Sequence, residues 1–494
     1  METFLALLDS VLDITTMLFA LLILVGLASI AVLYVLDVTQ SKQTIRKNYP
    51  VIGRLRYVFE HLGVFFRQYF FAMDREELPF NRAQRAWVAR AAKQVDSTLA
   101  FGSTKPLNRP GDIFFLNSAY PPTAEEISAY VPEPLVFGEG HVPHPYTAPS
   151  FFNISAMSYG ALSGPAISAL SSGAHQAGIW LNTGEGGLSP FHQTAPCDLV
   201  FQIGTAKYGV RDEHGNLDAE KVAEIAAIPA VKMFEIKLSQ GAKPGKGGIL
   251  PASKVTEIIA STRGIPVGQD SISPNRHPDV TDAGSLLDLI DRVRTASGKP
   301  TGIKFVLGQT DWLEELFSEI TARGNSSAPD FFTLDSADGG TGAAPQGLMD
   351  NMGLPVASSL PYINQRLIDA GLRSRVKLIA TGKMVNPAGV AAALCLGADA
   401  VCSARGFMFA LGCIQALQCH QNTCPTGITT HNPKLQRGLD PQNKATRVAN
   451  FAGSIQKEVG LIAHSAGVMN PSQLNLKHAF LIGADGNPIP LEKT

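Results

Sequence analysis

The sequence predicts an α/β protein built on a (β/α)8 TIM barrel, with an N-terminal transmembrane helix and helical extensions. Three observations predict it. Eight short apolar runs rich in β-branched residues alternate with helix-like segments, the pattern of a buried parallel sheet spread over roughly 250 residues. Polar residues and glycines collect at the C-terminal ends of those runs, where the loops of a barrel build its site. Near the N-terminus, Ile14 to Leu36 carries no charged residue and as a helix would cover roughly 30 Å of hydrocarbon. An open doubly wound sheet is the alternative use of the same alternation.

At 494 residues the chain exceeds the usual single-domain size and has room for one barrel-scale domain with an extension at each end. The expected division is 1–13 as the external end, 14–36 as the membrane helix, 37–149 as a helical and irregular extension, 150–435 as the barrel with a cysteine loop, and 436–494 as a C-terminal helical tail. Glu2, Asp9 and Asp13 precede the apolar run, so the basic start of a cleaved signal peptide is missing and the helix is read as retained. Lys42, Arg46, Lys47, Arg54 and Arg56 follow it. The positive-inside rule then gives a single-pass protein of the inner (cytoplasmic) membrane with its catalytic domain in the cytoplasm. Cys197, Cys395 and Cys402 are scattered and form no disulfide pattern, which agrees with a reducing compartment. Next, His61 to Asp74 mixes aromatic residues with few charges and suits either a membrane interface or a helical layer on the main domain; Asn81 to Lys93 has helical composition.

The eight runs are 154–160, 179–185, 233–238, 267–273, 302–308, 331–337, 376–382 and 400–406. Helices are expected between them at Gly164 to Ala177, Ala283 to Ala296, Leu313 to Arg323, Tyr362 to Ala370 and Pro387 to Leu396. The strand ends offer Met157-Ser158, Thr183 to Gly187, Lys237, Lys304, Asp335 to Gly342, Gly382-Lys383 and Arg405-Gly406. The last two ends are where such barrels often hold a phosphate, and the phosphate of flavin mononucleotide (FMN) would fit there. Gly340-x-Gly342 begins like a dinucleotide fingerprint but has Pro345 at the third glycine position, which excludes a Rossmann reading. Basic and acidic residues number 41 and 42, so charge gives no reason to expect a nucleic-acid partner.

Cys413, Cys419 and Cys424 form a compact C-x5-C-x4-C array closed by Pro425 and Gly427. Three thiolates in one loop suit an iron–sulfur cluster. Structural zinc, with His420 as a fourth ligand, and plain buried cysteine are the competing readings of this spacing.

Ser155 to Gly160, Asn182 to Gly187, Gln240 to Gly245, Asp338 to Ala343 and the cysteine array together resemble the FMN-binding synthase domain of glutamate synthase, over about residues 150–435. The whole layout, including Ser403 to Gly412, is similar to stand-alone bacterial members of that family. The resemblance implies a (β/α)8 barrel carrying FMN and a [3Fe-4S] cluster held by Cys413, Cys419 and Cys424. It places Met157, Ser158, Gln202 and Lys304 near the flavin ring, and Gly339, Gly340, Gly382, Lys383, Ala404, Arg405 and Gly406 around ring and phosphate. Glu185, Lys237, Gln240 and Lys243 correspond to residues lining a 2-oxoglutarate or 2-iminoglutarate pocket, and a separate protein would donate electrons. Lys246 stands where the family motif has an acid, Lys207 where the larger enzymes tend to have arginine, and a glutaminase domain with its N-terminal cysteine is absent from this sequence. The implied activity is reduction of 2-iminoglutarate, from 2-oxoglutarate and ammonia or an amine, to glutamate. An N-alkylglutamate synthase, quinone-linked electron transfer and a non-catalytic membrane-bound subunit are the alternatives. A homo-oligomer is compatible with the sequence.

Overall fold

The computed structural model describes residues 1–96 and 98–493. The chain forms two compact units, Met1–Arg82 and residues 83 to the C-terminus. In the first, one helix runs Glu2–Thr39, and the most apolar 18-residue stretch within Phe4–Thr39 has mean hydropathy 2.8 with no residue of that stretch buried. It is long and apolar enough to cross a membrane. It starts earlier than the charge-free run because Phe4, Leu5, Leu7, Leu8, Val11 and Leu12 keep the segment apolar around Asp9 and Asp13. Short and medium helices follow at Thr44–Asn48 and Gly53–Phe66, the latter continuing through a wider π-helical turn at Arg67–Phe71.

The second unit is a closed barrel of eight parallel strands in sequential order. They are β1 Phe152–Ile154, β2 Leu181–Asn182, β3 Leu199–Ile203, β4 Val231–Lys237, β5 Thr301–Val306, β6 Phe331–Asp335, β7 Lys377–Thr381 and β8 Ala400–Ser403. β8 pairs with β1 and closes the ring, Cys402 lying beside Asn153. Seven of the expected runs supply barrel strands, and one does not. Within 267–273 only Ser271–Ile272 is extended, and it pairs antiparallel with Ile249–Leu250 in a two-stranded arm. The missing barrel strand is β3, whose five residues are all buried. It escapes the alternation because a short 3-10 turn, Pro190–Gln193, stands where a crossover helix would normally announce it.

The crossover helices follow the sequence closely. Gly164–Ala177 starts at Ser163, whose hydroxyl accepts the Ala166 N–H, and stops at Gly178 with φ +61°. Ala283–Ser297 and Asp311–Arg323 likewise end at Gly298 and Gly324. Val356–Asp369 begins a turn and a half before the expected Tyr362, passing through Pro361. Aromatic packing closes the N-terminal mouth of the barrel. Phe137, from a hairpin of Leu135–Phe137 with Tyr146–Ala148, meets Trp180 and Phe331 edge-on at 5.8 and 5.7 Å. The tail helix Pro441–Ser465 lies against Gly164–Ala177, where a Cβ at Gly173 would sit 2.5 Å from Val448. With the lower mouth filled, open polar chemistry is left to the C-terminal ends of the strands.

Candidate active site

Strand alternation sets the site's first charged pair of positions. Glu235 and Lys237, two residues apart on β4, share a face, and parallel register places Lys237 beside Lys304 of β5. Glu235 is buried and accepts from Asn182 Nδ2 at 2.8 Å and Gln202 Nε2 at 2.6 Å. Lys304 Nζ lies 3.6 Å from Asp335 Oδ2. Burial pulls the Lys304 ammonium down, but Asp335 and Glu235 more than offset it and hold it above the ordinary lysine range. Asn182, Glu235 and Lys304, with Ser155, Trp180, Thr333 and Cys402, surround a small cavity inside the barrel.

A second small cavity opens at the ends of β2 to β4 and is lined by Glu185, Thr205, Lys237, Gln240 and Lys246 among others. Lys237 Nζ sits 2.9 Å from Glu185 Oε1 and also donates to Gln240 Oε1. Burial pushes the Glu185 carboxyl up, yet Lys237, with Lys243 and Arg263 beyond it, outweighs that and holds it below the usual carboxylate range. Lys243 does not line the cavity but senses both Lys237 and Glu185, and burial followed by Lys237 lowers its affinity for a proton. Around one carboxylate the pocket therefore gathers two lining lysines, Lys237 and Lys246, with Lys243 in electrostatic reach, a composition that attracts an anionic ligand. His277 accepts no charge here. Its Nε2 lies 3.0 Å from the Lys237 carbonyl, and burial, helped by Lys207, pushes its pKa down to about 4.

Close backbone contacts tie these loops together. Asp335 accepts the N–H groups of Gly241, at 3.1 Å, and Ser336, at 3.0 Å, so the loop after β4 is latched to the end of β6. A Cβ on Gly241 would lie 2.0 Å from the Ser336 carbonyl oxygen, and one on Gly184 would lie 2.7 Å from the Ser158 nitrogen. Only glycine fits either place. Gly382, at φ +125°, would bring a Cβ within 2.3 Å of Ser336 Oγ, and Gly340 would meet Arg405 Nε at 2.8 Å. Arg405 donates to the Asp338 carbonyl, and burial lowers its pKa to about 10, which leaves it cationic at neutral pH. Of these glycines Gly340 is exposed, beside the Arg405 guanidinium, and bare backbone next to a fixed cation fits the phosphate of FMN. Other expected positions are less direct. Lys383 points to solvent from a left-handed φ of +49°, Ala404 is half-buried, and Gly406 faces Phe451 and Ser403. Met157 is buried, its carbonyl 3.3 Å from His192 Nε2, while Ser158 packs over Gly184.

The cysteine loop is docked on the first strand end: His431 Nε2 lies 2.9 Å from the Gly160 carbonyl, and Ser163 N donates to Ile428 at 2.8 Å. Lys254 is buried beneath it and donates to the carbonyls of Cys419, at 2.9 Å, and Thr429, at 2.8 Å. Cys413, Cys419 and Cys424 are all free thiols, and Cys413 senses both of the others electrostatically. Burial pushes Cys413 up to about 12 and raises Cys419; for Cys424 burial is outweighed by hydrogen bonds from Thr426 and Thr429, and it falls below the usual thiol range. Among the described residues no three His, Cys, Asp or Glu side chains converge closely enough to hold a metal ion. The donors present are all thiols, which fits an iron–sulfur group by ligand chemistry.

Sequence reasoning did not single out Glu235, His277, Arg263 or Lys254. Glu235 was available from the period-two spacing to Lys237. The other three flank the segment read as a barrel strand, Lys254 and Arg263 before it and His277 after it.

A closed β/α barrel whose polar, charged pockets lie at the C-terminal strand ends defines a barrel enzyme. Residues 128–469 match the family model for a conserved region in glutamate synthase. The glutamate synthase large subunit-like protein YerD of Bacillus subtilis is 37% identical over 95% of this chain and 96% of its own length. An archaeal-type glutamate synthase (NADPH) of Thermotoga maritima is 35% identical over 64% of this chain, and the match spans 59% of that protein. Among solved structures, a flavocytochrome b2 variant with sulfite bound aligns at TM-score 0.45 and 13% identity over 86% of this chain and 85% of that one, too loose a likeness to bear on the site. The chain belongs to the glutamate synthase family.

Proposed function

We propose that the protein is a membrane-anchored, FMN-dependent oxidoreductase that reduces 2-iminoglutarate, formed from 2-oxoglutarate and ammonia or an amine, to glutamate. The observation that carries this reading is the pocket of Glu185, Lys237 and Gln240 beside the glycine-lined strand ends. Bound FMN would supply the hydride. Lys237 is already paired with Glu185 and oriented by Gln240, so it can exchange part of that contact for a substrate carboxylate with little reorganisation. Lys243 and Lys246 supply positive field for the second carboxylate. Glu185, held ionised, would pair with the cationic nitrogen of the iminium, and Asp335 keeps the loop carrying Gln240 shut against β6. Lys304, held protonated between Asp335 and Glu235, offers a fixed positive charge for the electron-rich edge of a reduced ring. Cys413, Cys419 and Cys424 would hold a [3Fe-4S] cluster receiving electrons from a separate donor protein. The helix Phe4–Thr39 would anchor the chain in the inner membrane, with the basic residues that follow it facing the cytoplasm.

Glu185→Gln tests the assignment. Flavin content should stay at the wild-type level while anaerobic reoxidation of the reduced protein by 2-oxoglutarate and ammonium slows at least tenfold. Wild-type reoxidation in that variant would remove Glu185 from the site.

A further inference from the structure

We propose that Ile52–Phe71 is a second membrane contact, lying in the headgroup region of an anionic bilayer beside the span, with Asp37 fixing its attachment. This rests on the reading that Phe4–Thr39 crosses the bilayer. Ile52, Leu55, Val58, Phe59, Leu62 and Phe66 recur at helical spacing on one face of Gly53–Phe66, and all are exposed, Phe59 to 64%. The π-helical turn continues the stripe into Phe70 and Phe71, exposed 73% and 78%. A contiguous apolar face of this length marks a surface that meets something other than water.

Lipid is the occupant the chain itself indicates. The stripe begins shortly after the apolar helix ends, so a bilayer around that helix is already at hand. Between residues 40 and 71 Lys42, Arg46, Lys47, Arg54, Arg56 and Arg67 face a single acid, Glu60, a balance complementary to anionic headgroups. Tyr49, Tyr57 and Tyr69 supply the amphipathic rings that settle at that depth.

The link between the two helices is built rather than slack. Asp37, in the last turn of the apolar helix, is fully buried. It accepts from Arg46 Nε at 2.8 Å, from Arg54 Nε and Nη2 at 2.8 Å each, and from the Val51 N–H at 3.0 Å. Val51 is held at φ +66°, a conformation costly for a β-branched residue, and a Cβ on Gly53 would lie 2.8 Å from the Ile45 carbonyl oxygen. One carboxylate thus turns the chain sharply and leaves a net positive charge at the turn.

Photo-crosslinking of the full chain tests this. p-Benzoylphenylalanine would replace Leu22, Phe59, Glu60 or Phe70 in turn, in nanodiscs of phosphatidylcholine with about one third phosphatidylglycerol, with adducts identified by mass. Lipid adducts at positions 59 and 70 should fall within about twofold of those at 22, and those at 60 should be several-fold lower. Lipid at 22 but none at 59 and 70 would overturn this proposal and leave the span standing. No lipid at 22 would overturn the span and this proposal with it. Cross-linked dimers through 59 and 70 would make a second copy the occupant and refute the lipid assignment. Asp37→Ala, and separately Arg54→Gln, should cut the lipid yield at 59 at least threefold with the yield at 22 unchanged; full yield at 59 in both would refute the role of Asp37.

Discussion

Lys237→Met removes the cation on which the proposed pocket depends. In the wild-type protein its ammonium is 2.9 Å from Glu185 and also bonded to Gln240, with only 11% of the side chain exposed. A hydrogen bond between a charged donor and a substrate carboxylate contributes about 1.5–3 kcal/mol. At 1.4 kcal/mol per decade, the 2-oxoglutarate concentration for half-maximal reoxidation of the reduced flavin should rise about 10- to 150-fold. A second consequence follows from Glu185. With Lys237 gone, burial is opposed only by Lys243 and Arg263, and the carboxyl rises from its wild-type position. An ionised Glu185 repels a dianion and a protonated one does not, so half-saturation in the variant should improve as pH falls from about 8 to 6. Stopped-flow reoxidation with varied 2-oxoglutarate at fixed ammonium reads both effects, and Lys237→Arg should recover part of the first. Half-saturation within twofold of wild type, with no pH trend, would refute the reasoning.

Cys419→Ala should remove iron and slow electron entry while most of the flavin stays bound; unchanged iron, by elemental analysis, would sink the cluster assignment. Gly382→Ala must adopt φ +125° and place a methyl 2.3 Å from Ser336 Oγ, a strain on the order of 1–3 kcal/mol, so the purified protein should carry sub-stoichiometric flavin; full flavin and an unaltered melting temperature would show that the loop yields freely. His192 and His277, both pushed by burial to about 4, are neutral when folded at pH 7. Folded values below the unfolded value of about 6.5 mean that their contribution is full above about pH 6.5 and is lost as pH falls towards 4. The melting temperature should therefore drop across that window, and His192→Asn should flatten the drop; an unchanged slope would contradict it.

Most of the barrel was legible because buried parallel strands are near-continuous apolar runs, and Gly164–Ala177 carries both its serine cap and its stopping glycine. β3 was not legible. Its approach through Pro190–Gln193 lacks the helix that marks a βα unit, and Val267 to Ser273 mimics a strand although Gly268, Gln269 and Asp270 interrupt it. The pocket residues Glu185, Lys237 and Gln240 could be named from motifs, and they do meet at one cavity. His277 and Lys254 could not, because their roles come from burial and from partners far away in sequence, whereas Glu235 was within reach through its period-two spacing to Lys237. Lys254 is paired with carbonyls 165 and 175 residues distant.

The most direct test of a flavin-dependent imine-reducing site is to purify the full chain in detergent, measure bound flavin, reduce it anaerobically, and add 2-oxoglutarate with ammonium. One glutamate formed per reduced flavin reoxidised is the predicted result. Protein that carries flavin but is not reoxidised by this pair, or that purifies without flavin and does not take it up, would contradict the account.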